Sequence, residues 1–148
     1  MERAIFAAGC FWGIEAEFKK VEGVKDTTVG YTGGNVAEPI YEEVSTGETG
    51  HAEAVEVIYE PQEVSYEELL DIFWQIHNPT TLNREGPDIG SQYRSAIFYT
   101  NEQQQELAQK SKEELDNSSQ YDKPIVTKIK AAEEFYKAEE YHQDYLAK

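Results

Sequence analysis

The run Ala4-Ile5-Phe6-Ala7-Ala8-Gly9-Cys10-Phe11-Trp12-Gly13-Ile14 changes its period at its centre. Residues 3–8 are a short apolar block, the pattern of a buried strand. From Phe11 onward the apolar positions Phe11, Ile14, Phe18 and Val21 recur at helical spacing, and Gly23 closes the segment. A strand therefore turns into a helix at Gly9-Cys10. Cys10 is the only cysteine among 148 residues, and it falls at the helix N-terminus. There, unpaired backbone N–H groups and the helix dipole favour a thiolate. A single cysteine cannot form an internal disulfide, so redox chemistry at this thiol has to finish with a partner.

Working outward, Val24 to Tyr31 is rich in Val and Thr and predicts a second strand. Residues 35–50 read as loop with a short helical piece. His51 to Tyr59 alternates cleanly, with His51, Glu53, Val55, Val57 and Tyr59 on one face. Ser65 with Glu68 has the form of a capping box, opening a helix with Leu69, Phe73 and Ile76 as its core stripe. Asn78-Pro79 stops that helix. Residues 79–93 lack periodicity, and an aperiodic segment of that length in a compact domain is usually functional. Ser95 to Thr100 is a strand, Asn101 caps a polar helix, Ile125 to Lys130 reads as an edge strand, and Glu139 to Leu146 as a short terminal helix. Strands alternating with helices predict an α/β or α+β sandwich around a mixed sheet. Without repeats or a linker, residues 1–148 are expected to form one domain.

Acids outnumber bases 29 to 13, for a formal charge of −16. That charge argues against nucleic acid and against anionic membrane surfaces as partners. No apolar span approaches membrane length, and a soluble cytoplasmic protein is the simplest expectation. The three histidines form no close ligand pair with one another or with Cys10, so no metal is expected.

Two further runs carry chemistry. Glu53 shares a face with Val55 and Val57. Burial of its carboxyl would raise the pKa and make a general acid near neutrality. The run Asp88-Ile89-Gly90-Ser91-Gln92-Tyr93-Arg94-Ser95 fits either a polar pocket or ordinary turn chemistry. From the residues alone, a reactive Cys10, of the kind a thiol peroxidase needs, and an acidic interaction domain with an inert Cys10 both stay open.

Taken together, six runs in register resemble the A-type peptide methionine sulfoxide reductases. They are Gly9-Cys10-Phe11-Trp12-Gly13, then Gly30-Tyr31-Thr32-Gly33-Gly34, Tyr41 with Thr49-Gly50-His51-Ala52-Glu53, His77-Asn78-Pro79-Thr80, Asn83 to Ser95, and Tyr141-His142-Gln143. The resemblance implies a two-layer α/β sandwich with a mixed sheet flanked by helices and a ferredoxin-like core. It implies reduction of the S epimer of methionine sulfoxide, free or in oxidised proteins. Carried over by position, Cys10 is the nucleophile and Glu53 the acid on the sulfoxide oxygen. Tyr41 and Tyr93 are hydroxyl donors to that oxygen, and Asp88 organises the site. Phe11 and Trp12 receive the substrate methyl, with Gly50 and His51 on the substrate-binding side. No bound cofactor is implied. Many members carry extra cysteines near the C-terminus, and none occurs here, so the resemblance implies an external thiol, from glutathione with glutaredoxin or from thioredoxin. The chain is expected to act as a monomer. Asn78 and Glu85 stand where aspartate and glutamine are common in the family.

Overall fold

The computed structural model describes residues 1–147. Strand β1 (Glu2–Ala8) runs through the middle of the sheet, antiparallel to β3 (Ala52–Tyr59) on one side and β6 (Ser95–Tyr99) on the other. Strand β2 (Val24–Thr32) lies antiparallel to β3, giving the order β6-β1-β3-β2. Helix α1 (Phe11–Lys19) links β1 to β2, and α3 (Tyr66–Gln75) links β3 towards β6. This split βαβ arrangement is the ferredoxin-like core implied by the resemblance. Strand β7 (Lys128–Ala131) extends one edge parallel to β6 after the crossover helix α4 (Glu102–Asn117), and makes the sheet mixed. Strand β8 (Phe135–Lys137) closes the other edge against Gly30, Tyr31 and Thr32 of β2.

Alternation sorts the strand residues into two faces. Ala4, Phe6, Ala8, Tyr31, Val55, Val57 and Ile97 face the long helices, meeting Phe11, Phe18, Leu69, Leu70, Phe73 and Ala108. Phe6 anchors this layer, stacked on Phe18 at 5.1 Å and on Phe73 at 5.3 Å between ring centroids. Each fully buried phenylalanine of this kind stabilises the fold by roughly 1.5–3 kcal/mol. Ile5, Ala7, Ala52, Ala54, Ala96 and Phe98 form the opposite face, where Ala132 and Phe135 pack instead of a helix.

Three boundaries differ from the sequence reading, each for a visible reason. The edge strand begins at Lys128 rather than Ile125. The amide of Ile125 donates to Asp116 and that of Val126 to the Pro79 carbonyl, so neither joins β6. The expected terminal helix over 139–146 is instead two 3-10 turns, Glu140–His142 and Tyr145–Ala147, broken at Asp144 with φ 53°. Its polar groups are spent on β2: the Ala138 amide donates to the Val29 carbonyl, and the Gln143 amide brackets both backbone groups of Val29. Residues 79–93 hold a small hairpin of β4 (Arg84–Glu85) and β5 (Asp88–Ile89) that carries Asp88 to the site. The short helical piece expected within 35–50 is α2 (Tyr41–Ser45).

A buried polar relay ties α3 to the sheet. His77 Nδ1 bonds the Phe73 carbonyl, its Nε2 meets Ser95 Oγ at 2.7 Å, and Ser95 Oγ meets Thr127 Oγ1 at 2.7 Å. Burial pushes the His77 pKa down to about 4, so the ring is neutral near pH 7. Ser95→Ala strands both neighbours and is expected to cost about 1–3 kcal/mol, read as a lower denaturation midpoint in urea at pH 7. An unchanged midpoint would show that the relay is not stabilising.

Candidate active site

Gly9 lets β1 turn into α1. Its φ is +100°, and a Cβ there would lie 2.8 Å from Cβ and Cγ of Glu85 on the β4–β5 hairpin. The turn leaves Cys10 as the N-cap residue of α1, with an extended backbone (φ −62°, ψ 124°) and no capping side chain. The amides of the first turn lie beside both the thiol and Glu53. Those of Trp12 and Gly13 lower the Cys10 pKa. The Phe11 N–H donates to Glu53 Oε1 at 3.2 Å. Glu53 reaches this point because β3 presents it on the helix-facing side with Val55 and Val57, only 2% exposed.

Electrostatics here depart from the expectation of a low-pKa thiol. Burial pushes the Cys10 thiol up to about 11. The Trp12 and Gly13 amides oppose this, while the charges of Glu53 and Asp88 add to it. Desolvation outweighs the helix terminus, with Ile76 and the hairpin residues Glu85 to Asp88 bordering the thiol. Burial likewise raises the Glu53 pKa to about 7, against the lowering effect of the Phe11 amide and with Asp88 adding to the rise. The general-acid expectation for Glu53 thus has the burial it required.

Tyr41 opens α2 and Tyr93 ends the 3-10 turn Ser91–Tyr93. Tyr93 acts on the Tyr41 hydroxyl, and both feel the charges of Glu53 and Cys10. Burial, then Glu53, raises both phenol pKa values, keeping the hydroxyls protonated as donors. Asp88 joins them electrostatically, acting on Cys10, Glu53 and Tyr93. Cys10 also borders an open hollow of about 380 Å³ with Glu17, Glu85, Pro87 and Asp88 among its walls.

The remaining expected residues are placed unevenly. Trp12 leaves the core stripe of α1, donating its indole N–H to His142 Nδ1 at 3.0 Å and stacking on Tyr145 at 3.9 Å. Phe11 is 1% exposed, packed on Tyr31 and His142, and so backs the site from beneath. Gly50 and His51 lie in the scaffold rather than on the substrate side. His51 Nδ1 accepts from the Gly34 amide and Nε2 donates to the Val36 carbonyl, so a ring 2% exposed has no nitrogen left for a ligand. Residues that spacing alone did not single out complete the surroundings: His142 lies 4.7 Å from the Tyr41 ring, and Glu139 bonds Tyr31 and Tyr41. Glu15, buried in α1, accepts from Thr27 Oγ1 and from the Asp144 amide. Histidine, glutamate and glutamine near a chain end carry no signal of their own until the segment is seen against β2.

A thiol and a buried carboxyl lie together at one helix end, beside two phenols, an arrangement of the single-thiol enzyme class. Comparison with known proteins gives this class its family. The family model described as peptide methionine sulfoxide reductase matches residues 2–148. "Peptide methionine sulfoxide reductase MsrA" of Methanosarcina acetivorans is 59% identical over all of this chain and 79% of its own length. The reduced form of Mxr1 from Saccharomyces cerevisiae superposes with TM-score 0.92 at 38% identity, covering 99% of this chain and 84% of that one. The same yeast protein in complex with Trx2 superposes with TM-score 0.69 at 29% identity, over 97% of this chain and 84% of that one. The chain belongs to the peptide methionine sulfoxide reductase family, and its activity is the reduction of methionine sulfoxide. Among the described residues, no helix is long and apolar enough to cross a membrane.

Proposed function

We propose that the chain reduces the S epimer of methionine sulfoxide through Cys10, with Glu53 as the acid. The observation that carries this reading is the buried Glu53 carboxyl accepting from the Phe11 amide, the residue next to Cys10, at 3.2 Å. Nucleophile and proton donor are thereby fixed to one helix end. A sulfoxide sulfur is a modest electrophile and its oxygen a poor leaving group, so attack needs acid assistance, worth about two to four orders of magnitude.

In the proposed sequence, the substrate oxygen takes hydrogen bonds from Glu53, Tyr41 and Tyr93, while its methyl lies against Trp12 with Phe11 behind. The Cys10 sulfur bonds to the sulfoxide sulfur as Glu53 protonates the oxygen. The thiol proton then refills the Glu53 carboxyl. Methionine departs and the oxygen ends on Cys10 as a sulfenic acid, so the step balances as thiol plus sulfoxide giving sulfenic acid plus sulfide. With the methyl site and the oxygen site both fixed, one face of the chiral sulfur meets Cys10. Burial keeps Glu53 protonated near neutrality, and the charge of Asp88 adds to that effect.

Within these 148 residues no second thiol can attack the sulfenic acid. The regenerating thiol is therefore external to them. It displaces water to form a mixed disulfide with Cys10, which a further thiol releases. The yeast neighbour solved with Trx2 favours thioredoxin as that thiol over glutathione with glutaredoxin. The test is turnover of the separate S and R epimers with dithiothreitol, then with thioredoxin and with glutathione–glutaredoxin. Turnover of S alone, sustained by thioredoxin, is the expected result. Equal turnover of both epimers overturns the stereochemical reading, and turnover sustained only by glutaredoxin overturns the choice of reductant.

A further inference from the structure

Helix α2 is five residues long and starts poorly. Its N-cap is Ile40, whose side chain cannot accept a hydrogen bond, and it is half exposed. Within the helix, Glu43 turns back to bond only the Ile40 amide. The Tyr41 N–H is one of the orphan donors that every helix start leaves. It is satisfied by a residue 98 positions away, donating to Glu139 Oε2 at 2.9 Å. The other oxygen, Oε1, accepts from the hydroxyl of Tyr31 at 2.9 Å, a fully buried residue of β2.

Glu139 is itself held firmly. The Ala138 amide before it donates to Val29, the His142 amide donates to the Glu139 carbonyl, and Gln143 brackets Val29. Burial disfavours its charge, but bonds from the Tyr41 amide and the Tyr31 hydroxyl, with His142 nearby, outweigh it and hold its pKa below the usual carboxylate range. A carboxylate at a helix start also meets the positive end of the helix dipole.

We propose that Glu139 is a positioning residue for sulfoxide reduction: by joining Tyr31 of the sheet to the first amide of α2, it fixes where the Tyr41 hydroxyl stands beside Tyr93. Glu139 touches neither the thiol nor the substrate and acts through Tyr41. The inference rests on the reading of Tyr41 as a donor to the sulfoxide oxygen. Small displacements of such donors carry large rate penalties because the hydrogen bond matters most in the transition state.

The test is a double-variant cycle on the full chain, with turnover of S-methionine sulfoxide under dithiothreitol and the alkylation rate of Cys10 as paired readouts. Glu139→Ala is expected to lower kcat about tenfold and leave Cys10 alkylation unchanged. Glu139→Gln, which keeps an acceptor for the Tyr41 amide, is expected to recover most of the loss. In a Tyr41→Phe background, Glu139→Ala is expected to cost less than about twofold more. Tyr31→Phe, which removes only the bond steadying the carboxylate, serves where the alanine variant folds poorly. It is expected to lower kcat about threefold, again only while Tyr41 is present. Additive losses in the double variant, or a parallel fall in alkylation, overturn the positioning role. Full turnover in Tyr41→Phe alone overturns the donor reading of Tyr41 instead, so the two failures are distinct.

Discussion

Glu53→Gln is expected to melt higher than the wild type at pH 8 while turning over at least about tenfold more slowly. The folded protein holds the Glu53 pKa near 7 against an ordinary value of 4.5, because burial disfavours the charge. A carboxyl raised in this way contributes stability that is complete below pH 4.5 and lost as the pH rises through about 7. At 1.36 kcal/mol for each unit, the ionised carboxyl costs the fold up to about 3 kcal/mol at pH 8. Glutamine carries no such cost, and its carbonyl oxygen still accepts from the Phe11 amide. A 1 kcal/mol change shifts the melting temperature of a domain this size by about 3 °C, so the variant is expected to gain several degrees at pH 8 and almost none at pH 4. Taking the difference between variant and wild type at each pH cancels His77, whose lowered pKa acts in the opposite direction. Glutamine cannot protonate the sulfoxide oxygen, hence the loss of turnover, and the wild-type decline in kcat above about pH 7 should vanish in the variant. A variant that melts like the wild type at every pH contradicts the burial account, and one that turns over normally removes the acid role.

Cys10→Ser is expected to reduce turnover by at least about a thousandfold, since a serine hydroxyl at this position has neither the nucleophilicity nor the redox chemistry of the thiol. The more discriminating measurement is the pH dependence of Cys10 alkylation by iodoacetamide in the absence of substrate. Burial, together with the charges of Glu53 and Asp88, places its midpoint near 11, in spite of the lowering effect of the Trp12 and Gly13 amides. Glu53→Gln deletes one of those charges and is expected to move the midpoint down. A wild-type midpoint below 8 shows that the helix terminus dominates after all. With a high resting pKa the thiol stays inert towards stray oxidants and alkylating agents. In the proposed step the thiol proton passes to Glu53 as the Glu53 proton passes to the sulfoxide oxygen, so thiolate and carboxylate never have to stand charged side by side.

How much of this was legible in the sequence depended on how local each cause is. The alternation of His51 to Tyr59 placed Glu53 on the helix-facing side, because a strand fixes side-chain direction residue by residue. The turn at Gly9-Cys10 was equally visible, being written in one change of period. The thiol pKa was not, because its main cause is burial, and Ile76 and Glu85 to Asp88, which border the thiol, lie far along the chain from Cys10. Strand β8 escaped notice with three residues and no alternation of its own. Its trace lies in β2, where a Cβ on Gly30 would come 2.5 Å from the Tyr136 carbonyl. The segment after Ala138 was misread as helix because its acidic and aromatic residues suit one. Only the open backbone groups of Val29 and the orphan amide of Tyr41 explain why it lies flat.

The shared helix end also governs which changes of length the gene can tolerate. Inserting or deleting one residue between Phe6 and Ile14 turns α1 by about 100° relative to β1. Cys10, the amide that serves Glu53 and the apolar stripe of Phe11, Ile14 and Phe18 would all lose their places together. No second substitution restores three such losses at once. Residues 118–124, almost all exposed beyond α4, meet no comparable demand. Variation in length among descendants of this chain is therefore expected to collect there, while the nine residues from Phe6 to Ile14 are inherited as an indivisible unit.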